Sequence, residues 1–518
     1  VLYNNARDFD TAINLYLKAL EISPGLPQTL NNLAVSCTLR GDIEKAASVI
    51  DSALQHNPNF GDAWHTYAQV CGEQADVAGA IKALRRVLKL NPNHKTAGSS
   101  LMFLLNYVPS LHGNNAFKEH VAWGNKCQKM YKPRLPPARV MKEHSGKINI
   151  AYISPDFRQH SVSYFVEVPL KYYDRSRFTV TCLANVDKPD GVTSMLKKYP
   201  DRWINISRYN AHKVAEIIRE HNIHILIDLA GHTSNNRLDV MALQSAKLQA
   251  TWIGYPNTTG LNTIQYRLTD SHVDPEDTKQ EYTEELVRIP GCFLCYTPPR
   301  QAPDVKFAPC LKNGYITFGS FNTLSKMNDR VVQLWSRVLL AVDKSRLVLK
   351  TKALLVASVR NRVWAQFKNC GVDPSRIQLL GHTATTRAHL ALYDKMDISL
   401  DSFPYAGTTT TAEALHMGIP VLTLRTNRGI DKITYGDIHA ANVGVSVLEA
   451  IGKPEWIADG ADDFVDIAVR LSEDFSALND QRLALRQQVN NSIFCDGPAF
   501  MKRVESIYTT WYDNELAE

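Results

Sequence analysis

The sequence has no hydrophobic run of the length that a membrane span requires. Such a span takes about 18 or more consecutive apolar residues, and no window of the 518-residue chain approaches this. The chain also lacks a strong charge of either sign: 58 basic and 52 acidic residues leave a net charge of +6, dispersed along the sequence. We therefore expect neither a membrane protein nor a nucleic-acid-binding protein.

The nine cysteines of the chain are ordinary usage for its length and show no disulfide or metal-binding pattern. Cys292 and Cys295 form the one close pair, and this pair has neither a second CxxC nor the nearby histidines that would complete a zinc site. We interpret the chain as a reduced intracellular protein. Its 44% hydrophobic and 21% charged residues are typical of globular proteins, and its length predicts about two to four domains.

Several catalytic motifs are missing. The sequence contains no GxGxxG, GxxxxGK[ST], GxSxG or HExxH, which argues against dinucleotide oxidoreductases, P-loop NTPases, nucleophile-elbow hydrolases and zincins. No convincing DxD pair follows a predicted strand, so no metal site is predicted. An α/β enzyme without these motifs would have to bind a nucleotide by another route.

A 34-residue repeat opens the chain. Three registers keep this step, namely Pro24, Pro58 and Pro92; Ala12, Ala46 and Ala80; and Leu20, Leu54 and Leu88. The period, with small residues at helix crossings and a proline after the second helix, is typical of the tetratricopeptide (TPR) repeat. Three units are close to the minimum for a stable stack, and the first begins incomplete at Val1 without an initiator Met. We expect a fragment of a longer array.

A TPR stack presents a concave surface that suits extended peptides. Asn32 occupies the position where an asparagine would bind peptide backbone, but Thr66 and Ser100 stand at the equivalent positions of the next units. A solvated polar face is the alternative interpretation of this surface.

From about Lys147 the pattern changes to short strands rich in β-branched residues that alternate with helices. The predicted strands are Ile148–Ile153, Phe178–Thr181, Ile223–Leu229, Tyr315–Phe318, Leu347–Leu349, Ile377–Leu380, Ile398–Leu400 and Val421–Leu424. This alternation predicts parallel sheets covered by helices, in two domains separated by the proline-rich segment near residues 290–303. We therefore expect TPR repeats over 1–105, a helical linker over 106–146, and α/β lobes over 147–300 and 301–518.

The strand Ile398–Leu400 precedes the strongest candidate site. A small-residue turn with Gly407, Thr408, Thr409 and Thr410 leads into a predicted helix. The free N–H groups and positive dipole end of a helix start, together with threonine hydroxyls, favour a diphosphate. Glu413, one turn further, would accept bonds from ribose hydroxyls. A simple helix N-cap is the alternative, although one threonine would suffice for it.

Three further candidates follow predicted strands. Lys326 is placed to neutralise a leaving diphosphate, the alternative being a solvated loop lysine. His160 and His232 each suit a general base or hydroxyl ligand, the alternative being a structural histidine.

The segments SPDFRQHSVSYF, WIGYPNTTGL, GSFNTLSKMN, LDSFPYAGTTTTAEALHMGIPVLTL and NVGVSVL, together with the TPR units, resemble the O-GlcNAc transferase-like family, and within it the SPINDLY branch. The resemblance implies a TPR superhelix fused to a GT-B region of two Rossmann-like lobes. It implies His160 as the active-site histidine, Lys326 as the diphosphate lysine and Thr408–Thr410 as the phosphate-binding helix start. It also places Glu413 at the ribose, and His389, His382 and Thr383 near the nucleotide base, and it strengthens the case for His232.

The resemblance further implies an inverting, metal-independent transfer, without a cofactor, to Ser/Thr hydroxyls of nuclear and cytoplasmic proteins bound through the TPR groove. A homodimer through the TPR region is a further expectation. Two features favour the SPINDLY branch and GDP-fucose as the donor. The segment between the two lobes is short, and Thr408 stands where animal O-GlcNAc transferases carry histidine. An O-GlcNAc transferase using UDP-GlcNAc and an inactive TPR scaffold are the alternatives. The stretch 425–438 is longer than the usual loop of the family.

Overall fold

The computed structural model describes residues 4, 6–108, 114–133, 146–425 and 438–517. These residues form two compact units. The first unit consists of Val1–Val108, Phe321–Ser336 and Val348–His382, and the second of Pro109–Ser320, Arg337–Leu347 and Thr383–Glu518. Among the described residues, no helix is both long and apolar enough to cross a membrane.

The N-terminal repeats are pairs of helices, as predicted. Their bounds are α1 Phe9–Ile22, α2 Pro27–Arg40, α3 Ile43–His56, α4 Gly61–Glu73, α5 Val77–Leu90 and α6 Lys95–Leu105. Helices α1, α3 and α5 each end two residues before a repeat proline, since proline cannot continue a helix. Ala12, Ala46 and Ala80 are buried at the crossings, where their small side chains let neighbouring helices approach closely.

A longer helix, α7 (Asn114–Met130), precedes the first sheet and packs on the loop near Gly260. A β-carbon added to Gly124 would overlap the carbonyl oxygen of Gly260, and Gly260 itself has a φ of +74° that favours glycine. His120 of α7 joins the same region through a 2.6 Å bond between its Nε2 and the hydroxyl of Tyr255. Helix α7 therefore belongs to the core of the second unit.

The first lobe is a seven-stranded parallel sheet in the order β3-β2-β1-β4-β5-β6-β7. Its strands are β1 Ile148–Ser154, β2 Phe178–Ala184, β3 Arg202–Asn205, β4 Ile225–Asp228, β5 Leu248–Thr251, β6 Tyr266–Thr269 and β7 Glu285–Arg288. Its helices are α8 Ser163–Lys171, α9 Gly191–Leu196, α10 Ala211–Glu220 and α11 Leu238–Ala242. The order reverses at β1 and β4, and parallel sheets of this type bind ligands at the carboxyl ends of such strands.

The second lobe is a six-stranded sheet in the order β10-β9-β8-β11-β12-β13. Its strands are β8 Thr317–Ser320, β9 Arg346–Lys350, β10 Ile377–Leu380, β11 Ile398–Leu400, β12 Val421–Leu424 and β13 Ile457–Ala458. Its helices are α12 Cys310–Asn313, α13 Asp329–Ala341, α14 Ala357–Asn369, α15 Thr386–Ala391, α16 Thr409–His416, α17 His439–Ala450, α18 Ala461–Ser472, α19 Phe475–Asn490 and α20 Gly497–Ala517.

The last helix, α20, returns to the first lobe. The Trp511 ring stacks on Tyr266 with centroids 4.4 Å apart, and the hydroxyls of Tyr508 and Tyr152 are 3.2 Å apart. Such a return could not be predicted from local sequence, because both partners are ordinary aromatic residues.

Sequence patterns located β1, β2, β4 and β8 to β12. β10, β11 and β12 have the predicted bounds, while β8 begins two residues later than expected. The prediction missed β3, β5, β6, β7 and β13, which have two to four residues each. All of these except β13 carry polar or charged side chains, such as Arg202, Gln249 and Arg267. The TPR-plus-two-lobe architecture is confirmed.

Candidate active site

The loop after β11 is organised by a buried carboxylate. Asp401 Oδ1 accepts a 2.6 Å bond from the N–H of Gly407, and its Oδ2 accepts a 3.0 Å bond from the hydroxyl of Thr423. Asp401 is 3% exposed. The residues from Asp401 to Thr410, called the donor loop below, are therefore held at both ends of the turn before α16 begins. Sequence reasoning missed Asp401, although an acidic residue between a strand and a glycine turn is the signal that identifies it.

Helix α16 begins at Thr409, as the sequence predicts, with Thr408 as its N-cap residue. The Thr408 side chain makes no capping hydrogen bond, so the simple N-cap alternative does not describe this residue. The side chains of Thr408, Thr409 and Thr410 are half-buried. A β-carbon at Gly407 would meet the hydroxyls of Thr410 and Thr411, which explains glycine at this position. Hydroxyls and helix N–H groups thus meet at one helix start, an arrangement that suits an anion.

Glu413, one turn into α16, is brought together with His389 of α15. The Glu413 carboxylate lies 3.0 Å from His389 Nε2 and accepts a second bond of 3.4 Å from the hydroxyl of Tyr393. The Tyr393 hydroxyl also lies 3.2 Å from the carbonyl oxygen of Thr410. Two residues predicted separately for the ribose and the base therefore form one contact. Tyr393, missed by the sequence analysis, links that contact to the donor loop.

The other predicted donor residues lie on separate elements. His382 is exposed and Thr383 half-buried in the loop that follows β10. Lys326 is the last residue of a short 3-10 helix, Leu324–Lys326, which follows β8, and it is half-buried. Their assignments to the nucleotide base and the diphosphate stay predictions. The predicted long loop 425–438 lies, from residue 426 to 437, outside the described residues.

His160 lies on the loop after β1, beside a buried carboxylate. Its Nδ1 is 3.6 Å from Asp156 Oδ1 and 3.3 Å from the backbone N–H of Val162. The side chain of His160 is 38% exposed, whereas that of Asp156 is 5% exposed. Burial lowers the pKa of His160, the nearby Asp156 carboxylate opposes this, and Arg158 lowers it further. The imidazole is therefore neutral at pH 7 and able to accept a proton.

The neighbouring Gln159 connects two lobes of the second unit. Its side-chain amide lies 3.3 Å from the hydroxyl of Tyr164 and 3.3 Å from the hydroxyl of Thr386 at the start of α15. His160 therefore follows directly a residue that contacts the helix carrying His389.

His232, the second predicted histidine, is turned into the interior. It is 2% exposed, and its Nε2–H donates to the carbonyl oxygen of Thr259 at 2.9 Å. The rings of His120 and Tyr255 pack against it with centroids 5.6 and 5.2 Å away. Burial lowers the pKa of His232 to about 3, helped by His120. These contacts give His232 a buried position without solvent access, and its catalytic role stays a prediction.

The Cys292 and Cys295 side chains are buried, and Cys292 Sγ lies 3.2 Å from the hydroxyl oxygen of Ser446. Burial raises the pKa of Cys292 to about 12, so the thiol is protonated at pH 7. None of the nine cysteines forms a disulfide. Within the part of the chain that the structure describes, no group of three or more His, Cys, Asp or Glu side chains is arranged to hold a metal ion.

Two protein-family models match the chain. A model of glycosyl transferase family 41 matches residues 116–297 and 306–503, and a tetratricopeptide repeat model matches residues 38–102. An Arabidopsis thaliana protein, named as a probable UDP-N-acetylglucosamine–peptide N-acetylglucosaminyltransferase SPINDLY, is 42% identical over 419 residues. Those residues are 80% of this chain and 44% of the relative. The Solanum lycopersicum protein of the same name is 40% identical over 422 residues, which are 81% of this chain and 44% of the relative.

The chain thus spans less than half the length of these relatives. Among solved structures, a mutant of the Thermobaculum terrenum O-GlcNAc transferase matches with a TM-score of 0.88 and 28% identity, covering 99% of this chain and 96% of that chain. Because the family model covers well over half of the residues and continues through both lobes, the chain belongs to glycosyl transferase family 41.

Proposed function

We propose that the protein transfers fucose from GDP-fucose to Ser/Thr hydroxyls of intracellular proteins, by an inverting, metal-independent reaction. The observation that carries the nucleotide-sugar proposal is the donor loop, in which Asp401 holds Gly407 and the threonine hydroxyls meet the start of α16. The Glu413–His389 contact beside this helix start supports a nucleotide at the same place.

The proposed reaction is a single displacement at the anomeric carbon of the donor. The acceptor oxygen forms a bond to that carbon while the bond to the diphosphate oxygen breaks, and negative charge passes to the departing diphosphate. The helix start at Thr408–Thr410 and the Lys326 ammonium are proposed to stabilise that charge. The acceptor proton passes either to His160, which is neutral at pH 7, or to a phosphate oxygen of the donor.

A base role for His160 requires a defined tautomer. If Nε2 accepts the proton from the acceptor hydroxyl, Nδ1 must carry the other hydrogen. Nδ1 would then give up the 3.3 Å bond that it accepts from the N–H of Val162 and turn to the Asp156 carboxylate, 3.6 Å away. Asp156 would then stabilise the imidazolium that forms.

The proposal also specifies which nucleotide sugar is the donor. Identity to the SPINDLY proteins is 40–42%, against 28% to the Arabidopsis thaliana protein named SEC and 22% to the Caenorhabditis elegans enzyme, which supports the SPINDLY branch. The names of all these relatives specify UDP-N-acetylglucosamine. Transfer of N-acetylglucosamine from UDP-GlcNAc is therefore the second candidate.

A donor competition separates the candidates. The protein would be incubated with GDP-fucose and UDP-GlcNAc together with a Ser/Thr-rich protein extract, with EDTA and without it, and product masses recorded. A deoxyhexose increment that persists in EDTA and is lost in Lys326→Ala supports the proposal. An N-acetylhexosamine increment supports the second candidate, and loss of transfer in EDTA contradicts metal independence. No transfer and no nucleotide binding, with the fold intact, would favour the inactive scaffold.

The acceptor and its location follow from the same proposal. The TPR helices are proposed to bind extended segments of nuclear and cytoplasmic proteins, and the TPR region is proposed to carry any homodimer contact. Transfer to a full-length acceptor that greatly exceeds transfer to a short peptide from the same protein would support TPR binding.

A further inference from the structure

Helix α17 of the second lobe is joined to the first lobe by buried polar bonds. His439, its first residue, lies with Nδ1 2.7 Å from Asp274 Oδ2, and its backbone N–H donates to Gln280 Oε1 at 2.7 Å. Two turns along, the hydroxyl of Ser446 donates to Asp270 Oδ2 at 2.6 Å. The side chain of His439 is 2% exposed and that of Asp274 is fully buried, so these bonds are shielded from water.

The surroundings of Asp274 define the proton position on His439. The Asp274 carboxylate also accepts bonds from the hydroxyls of Tyr282 and Thr269. Burial would raise the pKa of Asp274, but His439, Arg267 and these hydroxyls outweigh it and hold the pKa well below the usual range. The carboxylate is thus ionised, and Nδ1 of His439 must carry the hydrogen that it accepts.

The other ring nitrogen has an equally defined role. Nε2 of His439 lies 3.5 Å from Nη2 of Arg267, whose guanidinium also donates to the carbonyl oxygens of Asn257 and Tyr255. Since arginine only donates, Nε2 keeps its lone pair. Burial lowers the pKa of His439, and the ring stays neutral with one tautomer.

The start of α17 also contacts the donor loop. The carbonyl oxygen of Ala440 accepts a 2.8 Å bond from the N–H of Ala406, the residue before Gly407. One turn further, Gly444 packs so closely on Asp401 and Thr423 that a β-carbon would overlap both side chains. The loop therefore rests on α17 through this backbone bond and this close contact, and Tyr405 of the loop also packs against Ala440 and Ala441.

We propose that His439 is a positioning residue for the sugar-nucleotide donor. Asp274 of the first lobe binds His439, and His439 fixes the position of the start of α17. The backbone bond between Ala440 and Ala406 then holds the donor loop in a position set by that helix. The inference rests on the proposed function, in which that loop binds the donor diphosphate.

The variants His439→Asn and His439→Leu test the proposal. Asparagine places its amide nitrogen near the position of Nδ1 and keeps a donor for Asp274, whereas leucine removes it and leaves the buried carboxylate one donor short. GDP affinity would be measured by calorimetry, with UDP in parallel. We expect His439→Leu to weaken binding of the preferred nucleotide about tenfold, and His439→Asn to restore affinity to within about threefold of the wild type.

One control variant and one replacement variant separate positioning from general loss of structure. Ser446→Ala removes a bond between the same helix and the same lobe, and we expect it to lower the unfolding temperature without changing GDP affinity. If His439→Leu does not fold, His439→Gln replaces it, since its longer side chain misplaces the amide relative to Asp274. Equal nucleotide affinity in the wild type and in folded His439→Leu or His439→Gln would overturn the proposal, as would an equal loss in Ser446→Ala.

Failure of the underlying function gives a different result. Thr409→Val removes a donor-loop hydroxyl directly. Weakened nucleotide binding in Thr409→Val together with unchanged binding in folded His439→Leu contradicts the positioning role alone. Unchanged binding in both contradicts the donor-site proposal itself.

Discussion

At the scale of single residues, two histidines that look equivalent in sequence have different surroundings. His160 and His232 each follow a strand of the first sheet. His160 keeps 38% of its side chain exposed beside Asp156, whereas His232 is 2% exposed and bonded to a backbone carbonyl. This contrast makes His160 the stronger candidate for contact with substrate.

The proton-accepting role of His160 predicts a pH dependence. Because burial lowers the pKa of His160, the neutral form prevails at pH 7, and kcat/KM should fall as pH decreases below that lowered pKa. We expect His160→Asn to reduce kcat/KM about 10²- to 10⁴-fold and to abolish this acidic limb. Kinetics from pH 5 to 8 would check it.

The matched control for that experiment is His232→Gln. Its amide nitrogen can keep the bond to Thr259, and we expect near-normal kcat/KM because His232 lacks solvent access. A loss as large as that in His160→Asn would instead support the catalytic role predicted for His232. An unchanged acidic limb in His160→Asn would assign the proton to a phosphate oxygen.

The Glu413–His389 contact gives a second residue-level prediction. Glu413→Gln keeps the shape of the side chain but replaces one carboxylate oxygen with an amide nitrogen. The amide oxygen can still accept bonds from His389 and Tyr393, but it is neutral, so these bonds are weaker than those to the carboxylate. We expect KM for the donor to rise about tenfold. KM for the acceptor, measured at saturating donor, should stay unchanged, and a reversed pattern would contradict donor binding at Glu413.

At the scale of elements, helix α7 depends on a close backbone approach. A side chain on Gly124 would overlap the carbonyl oxygen of Gly260, and backbone cannot shift as readily as a flexible side chain. We expect Gly124→Ala to lower the free energy of unfolding by about 3 kcal/mol, measured by chemical denaturation.

Gly72 in α4 provides the control, because a β-carbon there would meet nothing within 4 Å. Gly72→Ala should stabilise its helix by about 0.5–1 kcal/mol. If both variants changed stability equally, the close packing of α7 on the loop near Gly260 would be contradicted.

At the scale of the whole molecule, buried neutral histidines predict sensitivity to acid. Burial lowers the pKa of His120 and His416 to about 4 and that of His232 to about 3, while in the unfolded chain each titrates near 6.5. Below pH 6.5 the unfolded state therefore binds protons that the folded state does not. Stability should be fully present above pH 6.5 and should decrease as pH falls towards 4, by about 1.4 kcal/mol per pH unit for each histidine.

His232→Gln should reduce by one the number of protons that the chain takes up on unfolding below pH 6.5. Unfolding free energies at several pH values between 4 and 6.5 would show a smaller slope than in the wild type. An identical slope would mean that His232 is protonated in the folded protein.

The sequence by itself determined the features that local chemistry controls. The proline and alanine periods predicted the TPR helices, β-branched runs predicted β1, β2, β4 and β8–β12, and the glycine–threonine turn predicted the helix start at Thr409. These patterns succeed because the 34-residue repeat, strand propensity and helix capping act between residues close in the chain.

Only the tertiary structure decided the contacts between residues far apart. It left the His160 side chain partly exposed and buried that of His232. It also brought Glu413 into contact with His389, and Asp274 into contact with His439, which is 165 positions away in the chain. Burial and pKa depend on every element packed around a side chain, and no local pattern encodes them. For the same reason Tyr393 and Gly124 could be named only once the chain was folded.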